Sequence, residues 1–314
     1  MSRVLLVRLD GIGDALVCTP LIAALRAAGH ELGLVLSDRN AGVFAAGTAM
    51  ATHVLERIPW PRHGSTPLSR ARADAQIALR RYDVALIASE EPEAYDLAAP
   101  VPRRIGFTTG WAKPLKSLWI KRRVTTAVPR AATVNGADAH EAEILLRLGA
   151  GIVTPPPERD AARLRPWITG PVPVPPRAGL LVQLGPKWNA LGVADAALQL
   201  LMATLRERGA RFIAAPGERD AMCAQFPALA VDAPATTRDW IAAVDAAGAL
   251  VSPDTGAAHL AGMIGVPVVD VFPDAGFDAQ TRRWRPWASS SIVVRASELA
   301  QAPETLIAQA LDAI

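Results

Sequence analysis

The sequence predicts an α/β protein built on open parallel sheets. Short apolar runs of strand length alternate with Ala- and Leu-rich helical segments along most of the chain. Glycine or proline separates many of these segments, as is typical of the turns that end helices and begin strands. With 314 residues, the chain is also long enough for two domains that each bury a core.

The composition argues against several classes of protein. Apolar residues make up 51% of the sequence and aromatic residues 5%, so the core is expected to consist mainly of Ala, Leu and Val. No apolar run reaches about eighteen residues, and Arg8 and Asp10 interrupt the first one, which argues against a signal peptide and a membrane span. Cys18 and Cys223 lack a metal or redox spacing, which predicts a reduced, cytoplasmic protein. The net charge of +3 is too small to indicate nucleic-acid binding.

The segment Ala249–Phe272 contains the clearest strand–turn–helix–strand unit. Ligands of parallel sheets lie at the carboxyl ends of strands, where Asp254, Thr255 and Gly256 fall. Thr255 and Gly256 would present backbone N–H groups to an anion at a helix N-terminus, and His259 follows one turn later. The alternative is a structural helix cap followed by a surface histidine.

The amino-terminal segment is predicted to form a strand, a turn and a helix. Arg3–Leu9 is the strand, and the helix Ala15–Ala28 follows the turn. Leu16 occupies the position of the third glycine of a dinucleotide-binding motif, so a nicotinamide or flavin dehydrogenase is disfavoured. Asp14 lies at the start of the helix, where the helix dipole favours a negative charge. Its carboxylate is therefore either a general base or simply a helix cap.

The rest of the first half continues the alternation. An acidic loop, Glu90–Glu93, is predicted after the strand Asp83–Ser89, and Arg103–Phe107 is predicted to be the last strand of this half. Further strands are expected at Leu32–Leu36 and Val54–Ile58, and helices at Asn40–Ala46, Pro67–Arg81 and Asp138–Leu148.

A basic segment, Arg103–Arg130, carries eight cations and no acidic residue. Gly106, Gly110 and Pro114 predict a loop, in which Trp111 and Trp119 are interleaved with the bases. The segment is either an ordinary solvated surface or a binding site for an anionic partner such as phosphate, carboxylate or lipid head groups. The eight cations are Arg103, Arg104, Lys113, Lys116, Lys121, Arg122, Arg123 and Arg130.

A proline-rich linker is predicted at 155–178, because so much proline disfavours regular structure. It separates an amino-terminal domain, 1–154, from a carboxyl-terminal domain, 179–314. The second domain is predicted to begin with the strand Gly179–Leu184, followed by the helix Val193–Arg208, the strand Arg211–Ala214 and the helix Thr237–Ala247. Lys187, Glu218 and Asp254 each follow a strand, so their turns are expected to line one crevice.

Two motifs far apart in the chain resemble glycosyltransferase family 9, the ADP-heptose:lipopolysaccharide heptosyltransferases. The first is R-L-D-x-I-G-D followed by T-P, within Val4–Arg26. The second is D-T-G-x-x-H-L-A, within Ser252–Phe272. The helix His140–Leu148, the turn Pro216–Glu218 and the segment Arg283–Trp287 also follow the order of the family, so the resemblance covers nearly the whole chain.

This resemblance implies a GT-B fold, in which two doubly wound α/β domains face each other across a cleft. It implies inverting transfer of a heptose or similar sugar from an ADP-sugar to a lipopolysaccharide-core acceptor, with Asp14 as the general base. The amino-terminal domain would bind the acceptor and the carboxyl-terminal domain the nucleotide-sugar. The implied donor-binding residues are Lys187, Glu218, Asp254, Thr255, Gly256 and His259, and the predicted acceptor-binding residues are Gly13, Lys121, Arg122 and Arg123.

The predicted partners are a nucleotide-sugar and an anionic glycolipid, with peripheral contact to the inner-membrane surface and no nucleic acid. No cofactor or metal site is indicated, and a requirement for a divalent ion stays open. The chain departs from the family at the compact turn Gly185–Trp188. Two alternatives therefore remain: another donor sugar or glycan acceptor, and a catalytically silent paralogue that binds nucleotide or glycan.

Overall fold

A computed structural model of the chain describes residues 1–59, 64–109, 112–130, 133–134, 137–153 and 158–312. The chain divides into two compact units, Met1–Glu158 and Arg159–Ile314. Each unit has one six-stranded sheet in which all neighbouring strands are parallel. The predicted α/β class is confirmed.

The sheet of the first unit has the strand order β3-β2-β1-β4-β5-β6. The central strand β1 is buried at five of its six residues, because helices cover both faces of a parallel sheet. Val4 of β1 lies opposite Leu32 on one side and Val84 on the other. The strands are β1 (Arg3–Arg8), β2 (Glu31–Ser37), β3 (Ala51–Leu55), β4 (Val84–Ile87), β5 (Arg103–Thr108) and β6 (Thr126–Pro129).

Helices alternate with these strands. The helix ends follow local sequence signals: Thr66 accepts a hydrogen bond from the backbone N–H of Ser69 at the start of one helix, and His140 accepts from Ala142 at the start of another. A short antiparallel pair, β7 (Thr133–Val134) and β8 (Ala137–Asp138), precedes the last helix of this unit. The helices are α1 (Ile12–Leu16), α2 (Thr19–Ala27), α3 (Pro67–Arg80), α4 (Pro92–Ala98), α5 (Pro114–Lys121) and α6 (Glu141–Leu146), with 3₁₀ turns at Ala41–Val43 and Arg147–Gly149.

The sheet of the second unit repeats this topology, with the order β11-β10-β9-β12-β13-β14. Val182, Val251 and Val269 lie in one buried cluster on one face of the sheet, in neighbouring strands. The strands are β9 (Ala178–Leu184), β10 (Arg211–Ala214), β11 (Val231–Asp232), β12 (Ala247–Pro253), β13 (Val268–Phe272) and β14 (Ser291–Arg295).

The helix that follows β12 is buried at every residue after the first, because its alanines and glycines permit close packing on the sheet. It begins at the N-cap Thr255 and ends at Gly265, whose φ of 79° lies in the left-handed region that favours glycine. The helices of this unit are α7 (Ala161–Thr169), α8 (Lys187–Ala190), α9 (Asp195–Glu207), α10 (Arg219–Gln225), α11 (Thr237–Asp245), α12 (Gly256–Ile264), α13 (Phe277–Trp284), α14 (Ala296–Gln301) and α15 (Pro303–Asp312).

Proline misled the sequence prediction in several places. The basic segment is not a loop, because it contains the strands β5 and β6 and the helix α5. The predicted strand Arg103–Phe107 is therefore not the last strand of this half, since β6 follows it. Pro114 and Pro92 stand in the first turn of α5 and α4, where the missing N–H is not needed. The predicted helix Ala15–Ala28 is broken into α1 and α2, with Pro20 in the first turn of the second. Gly110 and Trp111 lie outside the described residues.

Part of the predicted proline-rich linker is also regular. Residues 154–157 lie outside the described residues, but Ala161–Thr169 form α7, whose Leu164 and Ile168 are fully buried. The guanidinium of Arg165 donates to the carboxylate of Asp245 at 2.5 Å, and both side chains are buried. Tertiary burial and this ion pair hold the helix in spite of the surrounding proline.

In the described part of the chain, no helix combines the length and apolarity needed to cross a membrane.

Candidate active site

The first candidate group lies at the carboxyl edge of the first sheet. Asp14 stands in the first turn of α1, directly after β1, and its Oδ2 accepts a hydrogen bond from the backbone N–H of Gly11 at 3.2 Å. Gly13 precedes it in the same turn and is half-buried. The side chain of Asp14 is 35% exposed, so a substrate can reach its carboxylate.

Arg8, the last residue of β1, holds this carboxylate. Its Nη2 donates to Oδ1 of Asp14 at 2.5 Å, its Nε lies 3.3 Å from Oδ2 of Asp10, and its Nη1 donates to the carbonyl of Ala88. The Arg8 side chain is 4% exposed. A buried guanidinium that contacts three groups in this way fixes the position of Asp14. The sequence analysis identified Asp14 but missed Arg8.

An ionic chain extends along the same edge of the sheet. Arg130, which follows β6, donates to Oε1 of the fully buried Glu141 at 2.5 Å and lies 3.3 Å from Glu90. Lys116 of α5 donates to Glu90 at 2.5 Å. Burial raises the pKa of Glu90, but the hydrogen bond from Lys116 and the charges of Arg130, Lys116 and Lys113 outweigh it, so this pKa is lowered overall. Several cations of the basic segment are thus paired with acids that lie outside it in sequence.

The structure does not bring Lys121, Arg122 and Arg123 close to Asp14. Lys121 is the last residue of α5, which runs back toward the beginning of β5, and Arg122 and Arg123 follow it. The carbonyl of Arg123 accepts from Nε of Arg104 there at 2.8 Å. Lys121 and Arg122 are exposed. The guanidinium of Arg123 lies 3.9 Å from the ring centre of Trp119. The cations of the segment that do share the carboxyl edge with Asp14 are Lys116 and Arg130.

The second candidate group lies at the carboxyl edge of the second sheet. The Nζ of Lys187, the first residue of α8, donates to the carbonyl of Asp254 and lies 3.5 Å from its Oδ2. The Nε2 of His259 lies 3.5 Å from Oδ1 of Asp254, and the rings of His259 and Trp284 are 5.6 Å apart. Lys187, Asp254 and His259, which are far apart in sequence, therefore form one cluster. The structure adds Trp284 to this cluster, a residue that the sequence analysis did not identify as part of the site.

The N-terminus of α12 lies within this cluster. Oγ1 of Thr255 accepts from the backbone N–H of Ala257 at 3.2 Å and lies 2.8 Å from Oγ of Ser252. Thr255 is thus a helix cap, as the structural alternative held. The first N–H groups of a helix have no partner within it, and the start of α12 therefore remains suited to an anion as well.

Glu218 belongs to the neighbouring turn. Its Oε2 lies 3.5 Å from the point that a β-carbon on Gly185 would occupy, so the turns after β9 and β10 meet. Burial raises the pKa of Glu218. A carboxyl group beside a compact glycine turn can accept hydrogen bonds from ligand hydroxyls.

Asp270, in the middle of β13, is a polar residue that the sequence analysis did not single out. Its side chain is fully buried, and neither carboxylate oxygen has a hydrogen-bond partner. It lies opposite Ser252 in the register of the two parallel strands. In the sequence, Asp270 is one aspartate among valines, so the segment indicates an apolar strand. Only the burial and missing partners of Asp270 in the structure identify it as unusual.

Among the described residues, no group of three or more His, Cys, Asp or Glu side chains could hold an ion. Cys18 and Cys223 are both free thiols, and burial raises the pKa of Cys18 to about 12.

No protein-family model and no curated protein sequence matches the chain. Solved structures do. A glycosyl transferase family 9 protein from Veillonella parvula has a TM-score of 0.70 at 12% identity, over 98% of this chain and 89% of that chain. E. coli heptosyltransferase WaaC with ADP has a TM-score of 0.70 at 16% identity, over 99% of both chains.

A second E. coli enzyme gives the same result. The ADP-heptose lps heptosyltransferase II has a TM-score of 0.70 at 13% identity, over 99% of this chain and 98% of that chain. Identities this low establish the fold alone. The resemblance that the two sequence motifs predict is thus confirmed at the level of structure: the chain has the GT-B fold of the family 9 glycosyltransferases along nearly its whole length.

Proposed function

We propose that the protein is an inverting glycosyltransferase that transfers a heptose or similar sugar from an ADP-sugar to an anionic, lipopolysaccharide-core-like glycolipid. One observation carries the proposal: two sheets of the same topology bear complementary groups at their carboxyl edges. The first edge has a fixed, accessible carboxylate at Asp14. The second has a cation at Lys187 beside the N-terminus of α12.

The second unit supplies the donor site in this proposal. A nucleoside diphosphate needs cations and N–H donors, which Lys187 and the start of α12 provide. The carboxylates of Asp254 and Glu218 accept hydrogen bonds from the sugar, and the ring of His259 stacks against it. E. coli WaaC, which shares the fold, has been solved with ADP and with ADP-2-deoxy-2-fluoro heptose, which supports an ADP-linked donor.

The first unit supplies the base. The acceptor hydroxyl gives its proton to Asp14 as its oxygen bonds to the anomeric carbon, while the bond from that carbon to the phosphate oxygen breaks and ADP leaves with the electron pair. Arg8 holds the carboxylate in place, so Asp14 acts through its position beside the acceptor hydroxyl. Lys187 offsets the charge that develops on the leaving diphosphate.

Helix α5 supports a contact with an anionic membrane surface. Leu115 and Leu118 of this helix are 82% and 50% exposed, although they are apolar. Lys113 precedes them and Lys121 ends the helix, and both cations are exposed. Exposed leucines between cations are suited to an anionic lipid surface, which gives Lys121 and Arg122 a membrane-facing role rather than a contact with the reacting hydroxyl.

A panel of nucleotides tests the proposal. A ligand at a hundred times its Kd stabilises the folded state by about 2.7 kcal/mol. If the donor is ADP-linked, ADP should therefore raise the melting temperature more than UDP, dTDP or NAD. ADP-heptose should then yield a glycosylated lipid acceptor. If none of the nucleoside diphosphates stabilises the protein, the donor site is wrong. If ADP binds and no donor yields product, the chain is a nucleotide-binding paralogue.

A further inference from the structure

The buried carboxyl group of Asp270 has no role in the reaction described above. It is 0% exposed, and both of its oxygens lack a hydrogen-bond partner. An unpaired carboxylate at such a place in a protein is strongly unfavourable, because burial removes its hydration and nothing replaces it. Such a carboxylate destabilises the folded protein unless it binds a proton.

Asp270 does not lie alone. Oδ1 of Asp254 is also buried without a hydrogen-bond partner, and Asp254 is the residue that Lys187 contacts. Burial, followed by the negative charge of Asp254, raises the pKa of Asp270 well above its ordinary value, whereas Lys187 lowers it. The charges of Asp254 and Lys187 therefore act on the carboxyl group of Asp270 at the donor turn.

The other elements packed against β13 add few charges. From α12, His259 lies beside Asp254, and on β14 Arg295 pairs with Asp278 of α13 at 3.2 Å. The remaining charged residues of α13 and α15 are Arg282, Arg283, Glu304 and Asp312.

We propose that Asp270 is a proton-binding site beneath the donor turn, which takes up a proton when a nucleoside diphosphate binds and thereby makes donor affinity depend on pH. The inference rests on the proposed donor site. The diphosphate brings negative charge and draws the ammonium of Lys187 away from Asp254. Both changes disfavour a carboxylate at Asp270, so solvent supplies a proton and the group becomes a neutral acid. No other bond changes.

Calorimetric titration of ADP between pH 7.5 and 9.5 tests this coupling. One coupled proton makes the Kd of wild type rise by at most about tenfold per pH unit once Asp270 is ionised in the free protein. The Asp270→Asn variant keeps the shape and has no proton to exchange, so its Kd should be nearly flat. The terminal phosphate of ADP is ionised in this range, and the two proteins differ only at Asp270, so the ratio of the two Kd values isolates the contribution of this residue.

Asp232→Asn is the matched control, because it removes an exposed carboxylate of the same unit, paired with Arg211. It should follow wild type at every pH. Proton uptake is also measured directly in wild type, by titrating ADP in two buffers with different heats of ionisation. This measurement does not depend on the folding of any variant. Uptake of a fraction of a proton that increases with pH is expected.

The ligand-free protein gives an independent test. A folded-state pKa above the unfolded value means that wild type loses stability as pH rises from the unfolded pKa through the folded pKa. The Asp270→Asn variant lacks this loss, so its stability relative to wild type should increase across that window. A constant difference in stability, or a pH-independent Kd with no proton uptake in wild type, overturns the inference while leaving the donor site intact. Absence of ADP binding at every pH overturns the donor site and the coupling together.

Discussion

The two sheets have the same strand order but different chemistry at their carboxyl edges. At the first edge the charges are paired: Arg8 holds Asp14, and Arg130 holds Glu141. Nε of Arg8 and Oδ2 of Asp10 form no hydrogen bond, but they lie 3.3 Å apart as an ion pair. At the second edge, buried oxygens of Asp254 and Asp270 accept no hydrogen bond, and Lys187 is the cation between them and solvent. One edge is preorganised before any ligand arrives, while the other contains groups that only a ligand or a proton can satisfy.

This difference shows that topology places a site but does not determine what the site does. A fixed carboxylate is suited to receive a proton from a hydroxyl that is held beside it. The unsatisfied groups of the second edge are carboxylate oxygens, which a proton or a hydrogen-bond donor can satisfy and an anion alone cannot. The four predictions below test this contrast, in order of decreasing effect.

The largest effect is expected for Asp14→Asn, which keeps the shape of the side chain but removes the base and leaves one acceptor oxygen for the donors Arg8 and Gly11. Sugar transfer should fall by about 10²–10⁴-fold, while the Kd for ADP stays near that of wild type. Turnover and ADP titration measure the two effects. Asp10→Asn is the control, since Asp10 also contacts Arg8, and it should lose far less activity. Equal losses in both variants would mean that Asp14 acts only as a partner of Arg8.

Arg130→Met should destabilise the protein by about 3 kcal/mol, because it leaves the fully buried Glu141 without its main ion-pair partner. Arg8 also acts on Glu141, which keeps the effect at the lower end of the range for buried pairs. Urea denaturation measures it. The double variant Arg130→Met/Glu141→Gln should recover most of the loss. If the two single changes are simply additive, the pair is not coupled.

Lys187→Ala should weaken ADP binding by about 1.5–3 kcal/mol, which corresponds to roughly 10- to 150-fold in Kd. The side chain of Lys187 is 57% exposed and its ammonium contacts Asp254, so the fold should be little affected. Lys116→Ala removes a lysine from the edge of the first sheet and should leave ADP affinity unchanged. Equal ADP affinity in Lys187→Ala and wild type would remove the lysine from the donor site.

The smallest effect concerns the surface of α5. Lys121→Gln should reduce binding to vesicles that contain anionic lipid by about 1 kcal/mol, or roughly fivefold, and the difference should shrink at high salt. Arg208→Gln, which removes an exposed cation from the second unit, is the control. Co-sedimentation at two salt concentrations measures both. If the two variants lose the same amount, the cations act through net charge and α5 has no special role.

Much of the fold could be predicted because the signals are local. Alternating apolar runs and turn residues placed most strands within one or two residues, and the unit Ala249–Phe272 has the predicted order of elements. The turns after β9 and β12 meet where Lys187 donates to Asp254, and Oε2 of Glu218 in the turn after β10 lies 3.5 Å from the point that a β-carbon on Gly185 would occupy. Parallel strands bring their carboxyl ends to one edge, so sequence order was sufficient for this inference.

The sequence by itself therefore determined the class of fold, the positions of Asp14 and Lys187 at strand ends, and the family resemblance. The tertiary structure decided which charges are compensated. The basic segment contains no acid in sequence, yet Arg130 and Lys116 meet Glu90 and Glu141, which lie outside it. It also decided that Lys121 lies at the opposite edge from Asp14, because α5 reverses the chain direction. Asp270 became visible only through burial and missing partners, which depend on packing between strands and not on local sequence.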